Sequence, residues 1–220
     1  MHDKQDNIAI AVERLNNILP LSSNQRTLTE PLQQLYRAVL NSYVVHGRSL
    51  TREEMALQVN DIDDAISTLK QKNLVVFSHN DEPIGAYPFT MEERDHQVTV
   101  NGHTVHCMCA LDALAVSPMF KLPTLIHSRC HVTSEPVAIQ QDGFSVHNND
   151  KDIYFGINWS AASADSCCAD SLCTEMLFLK DQAVAEDWVN ESPEQSEIFT
   201  LAEAIQFASR FFMPLMSNKI

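Results

Sequence analysis

Cys107-Met108-Cys109-Ala110-Leu111-Asp112 stands where a β-like segment, residues 98–106, gives way to a helix-like one, residues 109–116. Residues three apart on a helix share a face, so the Cys109 thiol and the Asp112 carboxyl lie side by side once the helix forms. With Cys109 opening that helix, the partial positive charge of the N-terminus is expected to favour its thiolate. Asp112, in the first turn, is then close enough to exchange a proton with it. Metal capture followed by proton transfer would use such a pair. The same residues also read as a small buried hydrophobe and a first-turn acid, and the stretch alone does not separate the two readings.

Before this junction, residues 97–100 and 104–106 alternate apolar and polar around Asn101-Gly102, a strong hairpin signal. After it, the helix is expected to end before Ser117-Pro118. Short strands follow at 124–127, 130–133, 137–140, 144–147, 152–157 and 175–179, with helices over 183–189 and 202–212. Strands clustered in this way, not interleaved regularly with helices, predict an α+β domain over 89–220 with a mostly antiparallel sheet and flanking helices.

Residues 1–88 read differently. Ile8, Ile10, Val12, Leu15 and Ile18 form a helical stripe in a segment, 1–27, that either packs on the body or forms a loosely attached arm. Thr29 and Pro31 start a second amphipathic helix carrying Leu32, Leu35, Tyr36, Val39, Leu40 and Tyr43, which Gly47 stops. Thr51 and Glu54 form a capping box for a short helix expected to bury Met55, Leu57 and Val59. Asp61 caps the next, whose stripe is Ile62, Ala65, Ile66 and Leu69. A hairpin around Asn80-Asp81-Glu82 follows, giving a winged-helix-like N-terminal domain, and residues 88–92 read as a linker. A DNA reader would present a recognition helix to phosphate, but this one opens with Asp61, Asp63 and Asp64. The segment is therefore expected to cover the second domain.

The formal net charge of −14 opposes attraction to nucleic acid or to an anionic membrane. No apolar run approaches a membrane span, and the first residues lack the basic and apolar regions of a signal peptide, so a cytoplasmic location is expected. Six cysteines, crowded into two clusters with Cys130 between, read in a reducing compartment as thiol or metal chemistry. Structural zinc fits poorly, because neither Cys107-x-Cys109 nor Cys167-Cys168 has the two-residue gap usual for it. His103, His106, His127, His131 and His147 show no short ligand spacing, and five glycines supply neither a phosphate loop nor a nucleophile elbow. Cys130, beside Val132, reads as a core residue, and Trp159 and Trp188 as packing residues.

The second cluster, Cys167-Cys168 and Cys173, is followed by an apolar strand and Ala185-Glu186-Asp187-Trp188. Cys-Ala-Leu-Asp at 109–112, Ser171-Leu172-Cys173 and then Ala-Glu-Asp-Trp form an ordered set that resembles the organomercurial (alkylmercury) lyases. Arg48-Ser49-Leu50-Thr51, Gly85-Ala86-Tyr87 and Arg129-Cys130-His131-Val132 fall where that family has comparable segments, so the resemblance covers about 28–212. It implies protonolysis of a carbon–mercury bond to a hydrocarbon and mercuric ion. Cys109 and Cys173 would be the mercury ligands, and Asp112 the acid that takes a thiol proton and returns it to carbon. It also implies an organomercurial substrate, no cofactor, small thiols that assist turnover, and mercuric reductase as recipient of the ion. Two departures stand out: Met108 replaces an aromatic residue that usually precedes the first cysteine, and Thr174 replaces the second member of a frequent vicinal pair. Cys107, Cys167 and Cys168 are additional.

The chemistry agrees with that resemblance, since soft thiolates select soft, polarisable metals and donate electron density to them. The thiol-to-carboxyl transfer is uphill by ordinary acidities, and burial of Asp112 is expected to narrow the difference. A non-catalytic thiol-based metal binder or sensor is the other reading. It has no need of Asp112.

Overall fold

The structure is a computed structural model that describes residues 2–146, 152–162 and 171–217; Cys167 and Cys168 lie outside the described residues. Asn101 and Gly102 both take the left-handed backbone that a two-residue hairpin turn requires, with φ of 50° and 79°. The turn folds β4 (His96–Val100) back onto β5 (His103–Cys107) in antiparallel register, with His96 opposite Cys107.

This hairpin sits at the centre of a larger sheet. With β1 (Val76–Phe77), β2 (Pro83–Ala86), β3 (Phe89–Thr90), β6 (Thr124–Arg129), β7 (Pro136–Asp142) and β8 (Ser145–Val146) it makes eight strands in the order β1-β2-β3-β5-β4-β6-β7-β8, each pair antiparallel. The expected linker at 88–92 is therefore partly a strand. Phe89 and Thr90 pair with β2 on one side and β5 on the other, so the sheet runs unbroken past position 88. A second sheet, β10 (Met176–Leu179), β9 (Tyr154–Asn158) and β11 (Ser196–Thr200), has β9 at its centre. β11 has no counterpart in the sequence-based expectation.

The expected strand at 130–133 is instead a turn, closed by the Ser134 amide donating to the Cys130 carbonyl at 2.8 Å. Cys130 bridges in parallel to Phe178, and the His131 amide donates to the Phe178 carbonyl at 2.9 Å, which ties the two sheets together beside the site.

α6 (Ala110–Phe120) is buried from Ala110 through Met119, as a helix with no polar face must be. It continues past Ser117-Pro118, against expectation. Proline leaves the carbonyl four residues earlier without its helical donor, and the buried Gln141 side chain supplies one, Nε2 to Leu114 O at 3.0 Å. Lys121 ends the helix in the left-handed conformation.

Among the described residues, six further helices surround this core, and a seventh, α8 (Leu201–Met216), packs on α6. α1 (His2–Ile18) and α2 (Leu21–Arg26) are docked and not a loose arm. Ile8, Ala11 and Leu15 are buried, although Ile10 is exposed, and Gln25 Nε2 donates to Leu215 O at 2.8 Å. α3 (Glu30–His46) ends at a left-handed Gly47 and lies on the sheet: Tyr43 stacks on Phe89 at 4.8 Å, and Asn101 Nδ2 donates to Val44 O at 3.1 Å. α4 (Arg52–Ala56) carries the expected Thr51–Glu54 capping box and buries Met55, but Leu57 is exposed. α5 (Ile62–Gln71) is capped by Asp61 and buries Ala65, Ile66 and Leu69. α7 (Gln182–Glu191) covers the small sheet, where Trp188 leaves no room for a Cβ at Gly156. No helix of the described residues is long and apolar enough to cross a membrane.

Candidate active site

Cys109 is the N-cap of α6. It has extended backbone, and its sulfur accepts the Asp112 amide at 3.4 Å, the role a serine or threonine oxygen usually fills. That geometry turns the side chains of Cys109 and Asp112 to each other, and the Cys109 thiol donates to Asp112 Oδ2 at 2.8 Å. Cys173 arrives from far along the chain, in a short 3-10 turn (Leu172–Glu175) that leads directly into β10. The Cys109 sulfur, a carboxylate oxygen of Asp112 and the Cys173 sulfur all lie within 4.8 Å of one another, and all three residues are buried. The three residues expected from sequence are thus brought together.

Burial governs their acidities. It pushes the Cys109 thiol up to about 12, the Asp112 charge acts in the same direction, and a hydrogen bond with Cys173 opposes it. The expectation of a helix-stabilised thiolate at Cys109 is thereby overturned: removal from water outweighs the partial charge of the helix N-terminus. Burial also raises Asp112, to about 7, against the hydrogen bond it accepts from Cys109. Thiol and carboxyl rise together, so burial does not narrow the difference between them as expected. It leaves Asp112 able to hold or release a proton near neutral pH. Its Oδ1 has no hydrogen-bond partner among the described residues and is a second place for that proton.

A cavity of about 280 Å³ opens onto the cluster, lined among others by Cys173, Met108, Met176, His96, Arg129 and Cys130. Cys109 and Asp112 do not line it and stand behind Cys173, at 1% exposure each against 4%. Cys107, two residues before Cys109 at the end of β5, is buried outside the cluster, and burial drives its thiol well above the ordinary value. Cys130 is buried as expected, yet it is also among the residues that line the cavity. Burial raises its thiol, but hydrogen bonds from Thr133 and from the Lys180 and Val132 backbone prevail and leave it below the ordinary value.

His96 and Met176 are among the cavity residues that the sequence-based reading did not single out. Burial lowers His96 to about 4, so its ring is neutral; Nδ1 lies 2.9 Å from Ser128 Oγ and the ring meets Phe178 edge-on at 5.7 Å. A two-residue loop at Asn101-Gly102 already sets His96 opposite Cys107, so the hairpin register is the signal that could have found it. Met176 lies with its sulfur 3.6 Å from the Cys109 sulfur. Nothing in its apolar strand distinguishes it by pattern.

A family model described as MerB: Alkylmercury lyase matches residues 89–213. An alkylmercury lyase of Bacillus cereus is 24% identical over 190 residues, covering 83% of each chain. One of Staphylococcus epidermidis is 23% identical over 176 residues, covering 75% of this chain and 76% of the other. Among solved structures, the mercury-bound form of MerB2 superposes with a TM-score of 0.72 at 20% identity, covering 90% of this chain and 98% of that one, which extends the shared fold to nearly the whole molecule. Since the matched segment is more than half of the sequence and contains Cys109, Asp112 and Cys173, the chain belongs to the alkylmercury lyase family.

Proposed function

We propose that this protein cleaves carbon–mercury bonds by protonolysis, with Cys109, Cys173 and Asp112 as the residues that act. The observation that carries the reading is the buried cluster itself, two sulfurs and a carboxylate oxygen within 4.8 Å of one another behind one cavity.

Cys173, on the cavity wall, meets the organomercurial first. Its sulfur bonds mercury, and its proton leaves with the displaced ligand. Mercury then reaches the Cys109 sulfur. As that second bond forms, the Cys109 proton passes along the existing 2.8 Å hydrogen bond to Asp112, whose pKa, raised by burial to about 7, allows a neutral carboxylic acid to persist. Formation of the mercury–sulfur bond offsets the uphill transfer. Two thiolates place electron density on mercury and make its carbon a better proton acceptor. Asp112 donates its proton to that carbon, the carbon–mercury bond breaks, and hydrocarbon leaves. Mercuric ion remains on two thiolates, and Asp112 is again a carboxylate.

No redox step occurs, so none of the cofactor classes that carry electrons is called for. Small thiols would displace the ion, a mercuric reductase would be a suitable recipient, and the setting would be cytoplasmic. The helices α3 to α5 with the β1–β2 hairpin serve as a winged-helix-like cover over a catalytic domain that begins near residue 89. The acidic start of α5 supports a cover in preference to a DNA reader.

The test is hydrocarbon release when an organomercurial is supplied with excess thiol. A metal binder lacking the chemistry would take up mercury stoichiometrically and release no hydrocarbon.

A further inference from the structure

The mechanism above leaves soft donors of the cavity lining unused, and one of them, Met176, touches the cluster. Met176 opens β10, is 2% exposed, and lines the same cavity as Cys173. Its Sδ is 3.6 Å from the Cys109 sulfur, one of the three clustered ligand atoms. We propose that Met176 is a third sulfur ligand for mercury in this chain, so that the metal is held by Cys109, Cys173 and the Met176 thioether while Asp112 is kept for the proton.

The chemistry of the donor set favours this division. A thioether is soft and polarisable, as a thiolate is, and so suits a soft metal. It is neutral and has no proton to lose, so it can be buried beside the cluster without the desolvation cost of a charge. Two thiolates already balance the charge of a mercuric ion, and a neutral third donor adds electron density without adding charge to a water-poor site. Asp112 cannot serve both needs at once. While it carries the proton destined for carbon, it is a weak, neutral donor to mercury; the Met176 lone pair has no such second duty. The new bond is dative, from sulfur to mercury, and involves no proton or redox change. The neighbouring β10 side chains, Leu177, Phe178 and Leu179, are hydrocarbon, so the thioether is the strand's one contribution of this kind.

This inference rests on mercury occupying the cluster, and its test separates the two. The protein, with its 8 methionines replaced by selenomethionine, is loaded with one equivalent of mercuric chloride and examined by X-ray absorption at the mercury edge. A mercury–selenium scattering path is expected in the unmutated protein. It should be lost in Met176→Leu, a volume-conserving change, and kept in Met108→Leu. Hydrocarbon release by the unmutated protein is measured in parallel. Mercury bound by two sulfurs with no selenium path, alongside active hydrocarbon release, would overturn the role of Met176 and leave the lyase reading intact. A selenium path that survives Met176→Leu would likewise overturn it. Absence of both bound mercury and hydrocarbon would sink the inference together with the reading it rests on.

Discussion

Asp112→Asn should make the protein more stable as it makes it inactive, and the gain should depend on pH in a way the structure sets. Burial raises the Asp112 carboxyl from 3.8 to about 7. Between those values the native state holds a proton that the unfolded chain releases, so stability falls as pH rises through the window and the full cost is present above about pH 7. At about 1.36 kcal/mol per pH unit, the cost to wild type accumulates to roughly 4 kcal/mol by pH 8 and is about half that at pH 5.5. Asparagine keeps an acceptor for the Cys109 thiol but never ionises. Its buried amide carries a penalty of its own, on the order of 1–3 kcal/mol if unsatisfied, but that penalty does not vary with pH. The readout is therefore the change in the stability difference: the Asp112→Asn variant should gain about 2 kcal/mol on wild type between pH 5.5 and pH 8. In a chain of this size that is on the order of 5 °C in melting temperature. Urea unfolding across this range, which stays above the sequence pI of about 4.9, measures it directly. A difference that stays constant from pH 5.5 to 8 would show that Asp112 does not titrate near neutrality, and the proton relay would lose its physical basis.

The other expectations concern the same site and its frame. Serine at Cys109 or at Cys173 should abolish hydrocarbon release while circular dichroism stays native, since serine also caps helices and Cys109 is an N-cap; cleavage by either variant would remove that thiol from the mechanism. Asp112→Ala should still take up an organomercurial, with hydrocarbon release slowed ~10²–10⁴-fold; wild-type release at matched mercury occupancy would make thiols or solvent the proton source. Gel-shift titration against duplex DNA should give no tight, salt-sensitive complex, and such a complex would reverse the assignment of the N-terminal helices as a cover. Gln141→Leu removes the donor to the Leu114 carbonyl in α6 and should lower stability by about 1–3 kcal/mol in urea unfolding; an unchanged midpoint would mean that α6 tolerates Pro118 without that hydrogen bond.

Local interactions carried much of this molecule into its sequence. The Asn101-Gly102 hairpin, the Thr51–Glu54 capping box, the Asp61 cap and the Gly47 stop each depend on neighbours a few residues apart, and each is found as expected. So is the pairing of Cys109 with Asp112, because three positions on a helix fix it. What the sequence left undecided depends on residues far apart. Pro118 stops a helix unless another element satisfies the freed carbonyl, and only the fold brings Gln141 to Leu114. Residues 88–92 contain too few apolar positions to announce a strand, and Phe89-Thr90 becomes one because β2 and β5 flank it. The approach of Cys173 to Cys109 was expected only through family resemblance; physically it is set by the second sheet and its tie at Cys130–Phe178. The acidities are the sharpest case. A helix N-terminus read in isolation favours a thiolate, but burial is a property of the whole fold, and it leaves Cys109 a thiol and Asp112 an acid that titrates near neutrality.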